Sequence, residues 1–160
     1  MPPFPQHKNA FTTILTAWLL AGTLDISSAL ALFSIRTGKN PLLVFNYIAS
    51  AVFGKPAYTA GTPMVVAGLL LHYLIALIFT VLLFLLYPRI HKMITNKFII
   101  GILYGVLVWM IMNLLVVPLT RIPPFSISFA KAAENIVILI LAIGLPVLLV
   151  VHRYYYGKEK

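Results

Sequence analysis

The chain has 160 residues, of which 61% are hydrophobic and only 9% charged, where a soluble domain carries about 25% charged residues. With a mean hydropathy of +1.00, that excess excludes a water-soluble globule and leaves too little chain outside a bilayer for a separate soluble domain. Twelve Lys plus Arg against three acids give a net charge of +9. The basic residues flank the apolar runs, so they read as topogenic residues and contacts for anionic lipid headgroups, not as a nucleic-acid footprint.

Cysteine is absent, which excludes disulfides, thiolate metal sites, CxxC redox chemistry and a lipoprotein anchor. The first apolar run follows Lys8 and contains Ala21-Gly22-Thr23, a sequence compatible with signal cleavage. It stays apolar through Phe33, too long for a signal h-region, and predicts a retained span over 10–33.

Next comes a segment opened by Asn40-Pro41 and closed by Gly54, an N-cap followed by proline and a terminal glycine. A helix over 41–53 reaches about 21 Å, short of the ~30 Å hydrocarbon core, so it is expected to be interfacial or re-entrant, with a fifth span as the alternative. Asn46 and Ser50, four apart, are its expected polar stripe.

Three more runs meet the length of about 20 apolar residues that a spanning helix needs. They cover 62–87, expected to stop at Pro88; 98–118, expected to stop at Pro118; and 131–151, expected to kink at Gly144 and Pro146. The fold class is therefore all-α, an integral membrane four-helix bundle over 1–160 with a short helix between spans one and two, without internal repeats.

Loop charges set the expected orientation. Lys8, Arg89, Lys92, Lys97, Arg153, Lys158 and Lys160 fall on one side, and Arg36, Lys39, Lys55, Arg121 and Lys131 on the other. The bias places both termini in the cytoplasm. Tyr87, Tyr154, Tyr155 and Tyr156 fit an aromatic belt on that side.

Ionisable residues inside a span are costly and normally face a partner or a cavity. At 1.5 Å per residue, Asp25 lies about 12 Å and His72 about 15 Å from the outer surface, with Asn113 at about 7 Å and Glu134 and Asn135 at about 5 Å. Every span thus contributes a polar side chain to one half of the bundle. Asp25 has Ala21, Gly22, Ser28 and Ala29 within a turn. His72 shares a line with Gly68, Ala76 and Thr80, and Gly101, Gly105, Trp109 and Asn113 follow at steps of four. Small residues let helices approach closely, so packing faces and polar residues coincide.

Each of these residues also has a purely structural reading. Asp25 and His72 either form an ion pair, or burial leaves Asp25 neutral; their contact can equally serve only to set helix register. Thr23, Ser27 and Ser28 fit bonds to their own helix, Asn113 an interhelical bond, and Glu134 a pair with Lys131 or Arg121. Gly101 and Gly105 fit either internal packing or a homo-oligomer.

Enzyme chemistry finds little support. Asp25, His72 and Glu134 offer metal-ligand atoms without a local ligand motif, a single intramembrane histidine does not pair for haem, and neither a phosphate loop nor a nucleophile elbow is present. No cofactor or metal is expected.

The runs Gly68-Leu-Leu-Leu-His72-Tyr-Leu-Ile-Ala-Leu-Ile-Phe79, Tyr87-Pro88-Arg89-Ile90, Gly101-Ile-Leu-Tyr-Gly105-Val-Leu-Val-Trp109, and Asn113 through Pro118-Leu119 resemble the YagU-like small bacterial inner-membrane proteins. The resemblance covers spans two and three, and span four in outline; the first loop is shorter here and the termini briefer. It implies a bacterial cytoplasmic-membrane protein and carries over no catalytic residue.

The leading expectation is a non-enzymatic bundle with an outward-opening polar pocket. Asp25 and His72 are paired at its centre, responding to a small solute or to protons, with Asn113, Glu134 and Asn135 at its mouth. The 41–53 helix and the segment 121–125 cover it. The alternatives are a structural or assembly subunit and a metal-dependent membrane enzyme.

Overall fold

Asn9 starts the first helix by accepting the Phe11 N–H on its side-chain carbonyl at 2.9 Å, satisfying one of the orphan donors of a helix start. This helix, α1 (Ala10–Thr37), stops at Gly38, which turns left-handed at φ +63° and returns its N–H to the Ser34 carbonyl, a conformation open to glycine without steric cost. It is followed by α2 (Leu43–Phe53), a 3-10 turn (Lys55–Tyr58), α3 (Thr62–Met93), α4 (Lys97–Leu119) and α5 (Phe129–Tyr156). The structure is a computed structural model that describes residues 9–123 and 128–157. The expectations for Lys8, Lys158, Lys160 and the end of the 121–125 cover, Pro124 and Phe125, lie outside the described residues.

Four helices, α1, α3, α4 and α5, are long and apolar enough to cross a membrane. The chain is an all-α membrane bundle. Its burial pattern suits lipid: α3 turns Gly68, Ala76, Thr80, Leu83 and Tyr87 inward, while Leu70, Leu74, Ile78 and Leu85 stand exposed. The small residues and Thr80 lie on the face turned to the bundle, and these outward positions are large and apolar.

Of the expected proline stops, the one at Pro118 agrees with the end of α4 at Leu119 and the one at Pro88 does not hold. Pro88 does not end α3, which continues to Met93. Proline has no N–H for the carbonyl four residues back, and here the orphaned Phe84 carbonyl accepts the Tyr155 hydroxyl of α5 at 3.1 Å. Pro118 and Pro146 each follow a π-helical stretch, Ile111–Val116 in α4 and Ile140–Gly144 in α5. The wider turn makes room for the proline ring against the preceding carbonyl. After Pro118, α4 ends in one 3-10 turn at Leu119.

Asn40 does not cap α2 directly. Its side-chain carbonyl accepts the Leu42 N–H at 3.0 Å in a turn through Pro41, and the helix begins at Leu43. The Asn46–Ser50 stripe faces inward: Asn46 Nδ2 donates to the Ala57 carbonyl at 2.7 Å, holding the 3-10 turn, and both side chains are buried. Val52 and Phe53 are exposed instead.

Glycines set the closest approaches. A Cβ on Gly68 would lie 2.0 Å from the Phe45 carbonyl oxygen, so α2 crosses α3 backbone against backbone. A Cβ on Gly105 would lie 2.6 Å from Ile140 Cα, and one on Gly144 would lie 2.3 Å from the Gly101 carbonyl. The Gly101–Gly105 face is thus filled by α5 of the same chain. Between α1 and α3, Gly22 receives the Tyr73 ring.

Interhelical donors reinforce this packing by reaching backbone carbonyls. Trp18 Nε1 donates to Tyr73 O at 2.7 Å, and the Tyr104 hydroxyl donates to Phe79 O. Thr23 meets the Tyr73 hydroxyl at 2.8 Å instead of its own helix, whereas Ser28 bonds its own Leu24 carbonyl as expected. At the other end, the tyrosines form a packed cluster and not simply a belt: Tyr87 is 0% exposed, and its hydroxyl bonds His152 Nδ1 at 2.7 Å.

Two outcomes test this packing. Gly68→Ala and Gly105→Ala must displace backbone, and each lowers the unfolding midpoint in detergent by the equivalent of about 1–3 kcal/mol. Tyr155→Phe costs about 0.5–1.5 kcal/mol in the natural background and less than half of that alongside Pro88→Ala, which restores the backbone donor; equal costs in both backgrounds would contradict the rescue of Phe84 O.

Candidate functional site

Along α1, Asp25, Ala29, Leu32 and Arg36 follow at steps of four, three and four, which puts them on one helix face. That face borders a cavity of about 380 Å³, within the range of small-ligand sites. The cavity exists because α5 packs against both α1 and α4, while α1 and α4 make no extensive contact of their own. Trp109 and Asn113 line it from α4, Asn135, Ile138 and Leu139 from α5, and Val44 from α2. Asn113 lies within the π-helical stretch of α4, and Leu139 immediately precedes that of α5.

Three of the five expected polar residues, Asp25, Asn113 and Asn135, meet in this cavity. His72 is not on its wall. Its Nε2 bonds the Gly22 carbonyl of α1 at 2.8 Å, and because a carbonyl only accepts, that nitrogen carries the proton. Asp25 is within electrostatic range of His72, but no hydrogen bond joins them among the described residues. The expected Asp25–His72 pair is therefore replaced by a histidine strut to backbone and a partly buried carboxylate facing the cavity.

Glu134 pairs with Arg36 of α1, not with Lys131 or Arg121. The two side chains are 45% and 42% exposed, so solvent screening holds the pair to at most about 1 kcal/mol. Its consequence is geometric, since it ties the end of α1 to the start of α5 beside the cavity. Asn113 spends its Nδ2 on the Trp109 carbonyl of its own helix at 3.0 Å, not on a neighbouring helix. Gly68, Gly101 and Gly105 lie at helix crossings, as described above. Asp25, His72 and Glu134 do not converge, and among the described residues no group of three His, Cys, Asp or Glu side chains is placed to hold a metal. The three-residue metal reading is thereby overturned.

Arg36 is the cavity residue that sequence reasoning missed. It was read as a loop charge because the apolar run ends at Phe33, yet the helix continues to Thr37. Its spacing of eleven from Asp25, just over three full turns, is the available signal. Trp109 was placed on a packing line, but its indole Nε1 is buried without a hydrogen-bond partner among the described residues while the residue forms part of the cavity wall.

Comparison with known protein families, curated proteins and solved structures finds no match for the chain. The site is therefore interpreted from its own geometry.

Because the chain has no cysteine, Ala29→Cys provides a single reporter on the cavity wall. Arg36→Gln releases the tie to Glu134 and is expected to raise the rate of Ala29→Cys labelling by a charged, membrane-impermeant thiol reagent several-fold, with little change in the unfolding midpoint. An unchanged rate would show that the ion pair does not restrict entry.

Proposed function

We propose that this membrane bundle is a non-enzymatic small-solute or proton site, with Asp25 at its functional centre. One observation carries this reading: an acidic side chain deep in α1 borders a cavity with two amides and has no hydrogen-bond partner among the described residues. An acid at membrane depth is expensive, and its presence beside a cavity is the usual mark of a site. Asn113 and Asn135 supply neutral hydrogen-bonding groups beside it, and the Arg36–Glu134 pair controls approach along α1.

The same reading puts the chain in a bacterial cytoplasmic membrane with both termini inside and the cavity opening outward. The loop charges Arg89, Lys92 and Lys97, together with Arg153, support this orientation. The α3 and α4 residue runs support kinship with the YagU-like proteins.

A structural or assembly role is the second reading. It is favoured by the way His72 and Asn113 spend hydrogen bonds on the backbone carbonyls of Gly22 and Trp109. The two readings separate by substitution in proteoliposomes. Asp25→Asn alters proton or solute flux with the fold intact, whereas His72→Ala mainly lowers the unfolding midpoint. If Asp25→Asn leaves every flux unchanged and instead abolishes co-purification of a stable partner, the assembly role replaces the solute site.

A further inference from the structure

Asp25 and Arg36 are the charged residues that border the cavity. Arg36 and Glu134 neutralise each other at the end of α1. His72 lies off the cavity wall, with its Nε2 proton on the Gly22 carbonyl. Asp25 is left as the acidic group of the cavity, which aliphatic side chains of α1 and α5 also line. An ionised carboxylate in such surroundings calls for a cation or a proton.

The wall chemistry narrows the choice. A hard divalent ion takes six or more oxygen ligands, and the cavity offers the Asp25 carboxylate with the amide oxygens of Asn113 and Asn135 among apolar residues. An ammonium group needs less. Its N–H bonds suit the carboxylate and one or two amide oxygens, and Asn113 Oδ1 is the free acceptor because its Nδ2 is on Trp109 O. Trp109 adds an aromatic wall, the best ring for attracting a cation.

Shape adds a second constraint. Asp25 and Arg36 border the same cavity and are eleven residues apart on one face, about 16 Å along the axis. The lining residues Asp25, Ala29, Leu32 and Arg36 thus succeed one another along α1, and the cavity is elongated in that direction. That shape suits an extended chain lying along Leu32, Ile138 and Leu139.

We infer that the cavity binds a slender, unbranched organic ammonium ion, its charged head on Asp25 beside Trp109 and its tail directed toward Arg36. This rests on the reading of Asp25 as the centre of a solute site and specifies the solute's chemical class.

The test uses the full chain in nanodiscs at neutral pH, with hexylammonium as probe and tetraethylammonium, hexanoate and hexanol as controls for shape and charge. Hexylammonium is expected to raise the unfolding midpoint saturably and to bind at least tenfold more tightly than any control. Asp25→Asn, which preserves shape without the charge, loses that preference, and Trp109→Leu weakens binding several-fold. Should Asp25→Asn fold poorly, protection of Ala29→Cys from thiol labelling by hexylammonium reads the same occupancy with Asp25 in place.

Equal binding of hexanol or hexanoate, or undiminished hexylammonium binding by a folded Asp25→Asn protein, overturns the inference. If hexylammonium neither binds nor protects while Asp25→Asn still changes proton or another solute's flux, the ammonium class falls and the site reading stands. If Asp25→Asn changes neither binding nor flux, both fall.

Discussion

The architecture depends on the backbone contact between α4 and α5. Gly101 and Gly105 on one helix meet Gly144 and Ile140 on the other, at distances where a Cβ added to Gly105 or Gly144 would clash with main-chain atoms. In a bilayer, lipid tails are as apolar as leucine, so helix association relies on close packing and hydrogen bonds rather than on burial of apolar surface. Drawing α5 onto α4 while it also packs against α1 leaves α1 and α4 apart. The cavity is the space left by that arrangement, and it is consequently bordered by three spanning helices.

The second organising feature is satisfaction of main-chain carbonyls by side chains of neighbouring helices. Trp18, His72, Tyr104 and Tyr155 each bond a carbonyl on another helix, at Tyr73, Gly22, Phe79 and Phe84 respectively. Three of the four acceptors are on α3, and the fourth is the α1 carbonyl reached by His72 of α3. No water in the hydrocarbon region would otherwise satisfy these N–H and O–H groups. The same requirement explains how α3 passes through Pro88: the carbonyl that loses its backbone partner is the one that Tyr155 reaches. Two kinds of polar residue in this bundle therefore contrast. His72 and Tyr155 act as struts, while Asp25 faces open space.

This division bears directly on function. An acid whose neighbours were all struts would only set register, but the Asp25 face continues through Ala29 and Leu32 to Arg36 and borders a cavity throughout. The half-exposed Arg36–Glu134 pair adds little stability and leaves the Asp25 carboxyl, with its ionisable charge, facing the cavity. Trp109 and the amides of Asn113 and Asn135 give that charge a setting with directional groups and an aromatic wall. The π-helical stretches preceding Pro118 and Pro146 lie beside the same region, and such stretches frequently occur at functional positions.

By itself the sequence determined the membrane class, the number of long apolar helices, the short helix after the first of them, and the glycines that permit close approach, because apolar run length and small-residue spacing are local properties. It also located Asp25, Asn113 and Asn135 in the same half, since depth follows from residue count along a helix. Tertiary structure alone decided which side chains meet. Depth does not fix rotation about a helix axis, so His72, level with Asp25, turned to the Gly22 carbonyl instead of the carboxylate. Apolar run length marks where lipid contact ends, not where the helix ends, so Arg36 joined the cavity and claimed Glu134. Pro88 could not be read as helical from its own neighbourhood, because the donor that compensates for its missing N–H comes from Tyr155, on a helix far along the chain.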